Sequence, residues 1–70
     1  MPAKYTAIVK QTPKWWIGWI AEVPGVNCQE ATREELLETL RITLREALED
    51  NRRAAVAAAG EGYQEEKIAV

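Results

Sequence analysis

The chain has 70 residues, 47% of them hydrophobic, with nine Lys and Arg against eleven Asp and Glu and a net charge of −2. That length makes one small domain, which buries only about 60% of the surface its unfolded chain exposes and is marginal when alone. The mildly acidic balance argues against nonspecific phosphate binding, the lone Cys28 excludes an internal disulfide, and the lack of histidine removes the usual structural zinc sites.

The chain takes up its elements in a clear order. Lys4–Lys10 holds Tyr5, Thr6, Ile8 and Val9, residue types that suit a pleated, half-buried surface, and predicts a first strand. Gln11-Thr12-Pro13-Lys14 predicts a hairpin turn, because Pro13 fixes its own φ and cannot donate to a ladder. Trp15–Val23 predicts a second strand, ended by Pro24-Gly25. Val26–Gln29 predicts a short third strand. Alternation divides the second strand into a face of Trp15, Ile17, Trp19, Ala21 and Val23 and a face of Trp16, Gly18, Ile20 and Glu22. Both faces are partly apolar, whereas a sheet with one wet face alternates cleanly. The second face therefore needs a cover or forms an interaction patch.

A helix begins at Thr32. Thr32 and Glu35 have the spacing of a capping box, and Glu34 and Glu35 place negative charge at the positive end of the dipole. Leu36, Leu37, Leu40, Leu44, Ala47 and Leu48 recur at helical spacing as one apolar stripe. Ile42 falls outside it, as a lone surface residue or a partner contact. The alanines of Ala54–Ala59 extend the helix to about Ala58, and Gly60 suits its C-terminal cap. Glu66–Val70 predicts a short final strand, which returns to the sheet by a right-handed crossover.

This order of residues resembles the HicB-like antitoxins of bacterial toxin–antitoxin systems. The resemblance rests on Tyr5–Val9, the aromatic strand Trp15–Val23, Pro24-Gly25 and the helix opening Ala31-Thr32-Arg33-Glu34-Glu35, and it covers about residues 4–50. It implies a β-β-β-α-β fold, a partial ribonuclease H-like unit. It also implies a role: covering a small toxin ribonuclease, HicA, by protein–protein contact. The chain departs from the family pattern in three places. Gln11–Lys14 replaces a Gly-rich turn, and Glu30 and Leu36 stand where many members carry Gly and Ala. The sequence stops at Val70, without the helix-turn-helix or ribbon-helix-helix module of longer members, so no direct DNA binding is expected.

No catalytic set is legible. Two-metal catalysis needs carboxylates converging on ions about 3.5–4 Å apart, but Asp50 is the only Asp and Glu22 the only acid of the core strands. The helix glutamates read as capping groups and a solvated face. Cys28 has no histidine to activate it and reads as a small strand residue. Trp15, Trp16 and Trp19 suit a core or an oligomer contact better than base stacking, which also wants a basic groove. Arg41, Arg45, Arg52 and Arg53 are interleaved with acids, and Glu49 to Arg53 has favourable i,i+4 spacing.

The sequence therefore predicts a single α+β domain over residues 1–70, a three-strand antiparallel meander with one long helix on one face and a short returning strand. It predicts no enzyme and no cofactor. Small scaffolds without disulfide or metal are commonly completed by self-association, so a homo-oligomer, dimer or tetramer, is expected. One helix covers one face, so the face around Trp16 and Ile20 is expected to meet a partner, with Trp15, Trp19 and Ile42 as further contact residues. Met1-Pro2-Ala3-Lys4 lacks the pattern of a signal peptide, and no apolar run approaches the ~20 residues of a membrane span. A cytoplasmic protein without membrane association is expected. The functional expectation is an antitoxin-like binder of a small toxin ribonuclease; the alternative is an orphan self-associating module with a scaffold or regulatory role.

Overall fold

The computed structural model describes residues 4–69; the readings of Met1–Ala3 and of Val70 lie outside them. Three strands, β1 (Ala7–Gln11), β2 (Trp16–Ile20) and β3 (Asn27–Glu30), precede one helix, α1 (Arg33–Ala59). The sheet is antiparallel in the order β1-β2-β3. The α+β class and the meander agree with the sequence reading.

The hairpin turn closes on Thr12. Its backbone N–H donates to the Trp15 carbonyl at 2.7 Å, and the Trp15 N–H donates to the Thr12 hydroxyl at 3.1 Å. Gln11 then stands opposite Trp16, and the register runs through Val9↔Gly18 to Ala7↔Ile20. The first two strands each stop short at one end of what the residue pattern suggests. At the start of β1, the Thr6 N–H donates to the Glu22 carboxylate at 2.7 Å. β2 stops at Ile20 because the chain already turns at Glu22, where the Val23 N–H donates back to the Ile20 carbonyl at 3.3 Å. Gly25, at φ 92°, completes the turn in a conformation other residues resist.

Gly18 decides which face of the sheet the helix takes. A Cβ there would lie 3.0 Å from Leu40 Cδ1 and 3.1 Å from Leu36 Cδ2. Its absence lets the helix press directly onto the middle strand, as glycine within a strand commonly allows. Ile20, Val26, Leu36 and Leu40 form the buried core, with Val9, Trp16, Val23, Cys28, Leu44 and Ala47 packed around it. Two polar contacts set the helix along β3: the Thr39 hydroxyl donates to Glu30 at 2.7 Å, and the Cys28 thiol lies 3.6 Å from the Thr43 hydroxyl.

The helix starts as its sequence predicts. The Glu35 N–H donates to the Thr32 hydroxyl at 3.2 Å, and that hydroxyl in turn donates to the Glu35 carboxylate at 2.9 Å. It ends at Gly60, whose φ is 71° and whose N–H donates to the Val56 carbonyl at 3.3 Å. Its 27 residues span ~40 Å, more than twice the ~17 Å length of a five-residue strand. The molecule is accordingly elongated, 52 Å in its longest dimension against 23 and 15 Å in the others. Contact with the core runs out at Ala47, and the following turns project beyond the sheet.

This overhang removes the expected final strand. Residues 66–69 form no ladder and stay exposed; Ile68 is 86% exposed. Gly60 and Gly62, both at positive φ, reverse the chain, and the Arg52 guanidinium then holds the Glu65 carboxylate at 3.0 Å. The segment therefore folds back along its own helix and does not cross onto the sheet. The expected Glu49–Arg53 pair is also replaced: Arg53 bonds Asp50, one turn earlier at i,i+3 spacing, at 3.0 Å.

Candidate functional site

The candidate site is the face of the sheet that the helix leaves open. Directly opposed residues of an antiparallel pair share a face. The register pairs Ile8 with Trp19 and Lys10 with Ile17 across β1 and β2, and Ile17 with Gln29 and Trp19 with Asn27 across β2 and β3. Ile8, Ile17 and Trp19 thus form an apolar centre, rimmed by Lys10, Asn27 and Gln29. Ile8 is 39% and Trp19 38% exposed, while Ile17 between them is half-buried. Trp15, 43% exposed, lies at the hairpin end of the same alternation.

This placement reverses the expected use of the two faces. Trp16 is half-buried against the core and Ile20 is buried within it, so neither belongs to an open surface. The helix occupies their side because Gly18 lies between them, and the Ile17 and Trp19 side is the one left open. Trp15 and Trp19 remain exposed on that side. Ile42, 46% exposed, stands on the helix away from Leu36 and Leu40, so it belongs to the opposite layer and does not join them. Ile8 and Lys10 are the site residues the sequence reading did not single out. The glycine inside the Trp16–Ile20 strand was the signal that could have found them.

Charge is distributed unevenly around this face. Residues 4–21 carry Lys4, Lys10 and Lys14 and no acid. Across the sheet, Glu30, Glu34, Glu35, Glu38 and Thr39 line a shallow acidic groove of about 380 Å³ beside the start of the helix. Arg41 donates to Glu38 at 2.6 Å and holds that carboxyl below its ordinary range. The Thr6 N–H does the same for Glu22. A second shallow groove, of about 580 Å³, lies where Tyr63 folds back over Arg52, Arg53 and Val56.

Cys28 is partly buried, with its thiol beside Thr43. Among the described residues, no cluster of three or more His, Cys, Asp or Glu side chains could hold a metal ion. No helix among them is long and apolar enough to cross a membrane. No protein-family model, curated protein or solved structure matches the chain.

Proposed function

We propose that this chain is a cytoplasmic, non-enzymatic binding protein of the antitoxin type, which neutralises a small toxin ribonuclease of the HicA kind by covering it. The observation that carries the reading is the open sheet face: Ile8, Ile17 and Trp19 lie together on a side that no other element among the described residues covers. A half-exposed tryptophan flanked by aliphatic side chains and a polar rim has the composition of a binding hot spot. The sequence resemblance to HicB-like antitoxins supports the same role.

The test is an RNA-cleavage assay in which a HicA-type ribonuclease is titrated with the chain. Stoichiometric loss of cleavage is expected, and Trp19→Lys should abolish it while leaving the circular dichroism spectrum unchanged. Undiminished cleavage at a large excess of the wild-type chain would reject the reading for that toxin.

A second reading is an orphan HicB-like module that self-associates and serves as a scaffold or regulatory subunit without a toxin. A C-terminal segment that forms no ladder among the described residues, and β1 and β3 edges that no described strand covers, favour it. Sedimentation across a wide concentration range separates the two, because the second reading requires a stable homo-oligomer and the first does not.

A further inference from the structure

We infer that the C-terminal segment Glu66–Ala69 is an exchange strand, which adds to the β1 edge of a second copy of this chain and closes a symmetric dimer. The inference rests on the self-association reading above and specifies its interface.

The edge is available. The Ala21 N–H donates to the Thr6 carbonyl at 2.9 Å. In an antiparallel ladder the bonded pairs alternate, so Thr6, Ile8 and Lys10 turn their backbone groups toward β2. Ala7, Val9 and Gln11 then direct theirs outward, to an edge that no strand among the described residues covers. Such an edge is a template for an added strand.

The segment is also available, and its own sheet is poorly placed to take it. Ile68 is 86% exposed, and residues 66–69 pair with nothing among the described residues. The Arg52–Glu65 ion pair anchors the segment level with Arg52. From there residues 66–69 reach about 13 Å as an extended strand. The last core contact, Ala47, lies about 7.5 Å back along the helix axis. The overlap of roughly 5 Å is too short for an intrachain ladder. A second copy can approach along the strand direction without this restriction.

Charge selects the partner. The segment Glu61–Lys67 holds three Glu and one Lys, whereas residues 4–21 hold three Lys and no acid. Two β1 edges brought together would set lysines against lysines, the usual protection against edge pairing. The strand itself, Glu66–Ala69, carries one Glu and one Lys and follows Glu61 and Glu65, so it avoids that repulsion. Joining β1 of one copy to β3 of another also matches charge, but it is a head-to-tail contact that propagates without closing. Two exchanged tails on two β1 edges close a twofold dimer and leave no tail unpaired.

The test uses the full chain, with Ile68→Pro as its variant. Proline cannot donate to a ladder, and Ile68 is too exposed for its loss to disturb the monomer. Sedimentation equilibrium gives the dimer affinity. Isotope-filtered nuclear Overhauser spectra on a mixture of labelled and unlabelled chains give the contacts between copies. The proposal expects a dimer, contacts between the Ile68 methyls of one copy and Ala7–Gln11 of the other, and weakening of at least about tenfold in Ile68→Pro. A dimer without those contacts and indifferent to Ile68→Pro overturns the exchange while leaving self-association standing. A monomer at all concentrations overturns both, and contacts confined to one copy overturn the exchange.

Discussion

Gly18→Ala is the sharpest test of how the helix meets the sheet. The added methyl would meet Leu40 Cδ1 at 3.0 Å, Leu36 Cδ2 at 3.1 Å and the Ile8 carbonyl oxygen at 3.0 Å, where ordinary contact begins at 3.4 Å. Each neighbour must withdraw by a few tenths of an ångström. None can do so freely. Leu36 and Leu40 are 0 and 1% exposed, and the Ile8 carbonyl belongs to the β1–β2 ladder. Overpacking of a tight core costs about 1–3 kcal/mol. Against it stands a gain of about 0.4–1 kcal/mol, because alanine restricts the unfolded chain more than glycine does. The net expectation is a loss of about 1–2 kcal/mol, which for a domain of this size lowers Tm by roughly 4–16 °C. Thermal unfolding followed by circular dichroism measures it. An unchanged or raised Tm would refute the placement of Gly18 beneath Leu36 and Leu40.

Leu40→Ala removes a fully buried side chain and should cost about 2–5 kcal/mol, enough to unfold much of a small domain, as urea titration would show. Thr32→Ala removes the helix cap and should cost about 1 kcal/mol in the same titration. Trp19→Ser should leave Tm nearly unchanged, because the side chain is 38% exposed and outside the core, yet weaken association or toxin inhibition; a large fall in Tm would show that Trp19 is structural. Glu22 gives a pH signature. Its carboxyl titrates below the ordinary 4.5 because it accepts the Thr6 N–H. The resulting stabilisation is fully present above 4.5 and fades as pH falls through the lower folded value. Urea midpoints at neutral and acidic pH should therefore converge between wild type and Glu22→Gln as pH falls, and a constant gap would contradict the contact.

Much of the architecture was legible because local chemistry dictates it. Thr32, Glu35, the leucine stripe and Gly60 each mark the helix by a mechanism that needs no tertiary partner, and Pro13 and Gly25 mark the turns in the same way. The choice of sheet face was not legible from hydropathy, since Trp16 and Ile20 are as apolar as Trp19 and Ile17. Steric access decided it, and only Gly18 carried that information. The final strand failed for a different reason. Glu66–Val70 has strand-like residues, but pairing depends on where a 27-residue helix delivers the chain, and this helix overshoots the sheet. The open face was therefore expected around Trp16 and Ile20, whereas it is the side that carries Trp15 and Trp19, which were also named.

The most direct measurement is a nuclear magnetic resonance titration of the isotope-labelled chain with an inactive HicA-type ribonuclease, following the Trp19 indole N–H and the backbone amides. The account predicts a saturable set of shifts centred on Ile8, Lys10, Ile17 and Trp19, with the helix surface around Ile42 unmoved. Shifts centred on Ile42 and Arg45, or none at a saturating excess of the ribonuclease, would contradict it.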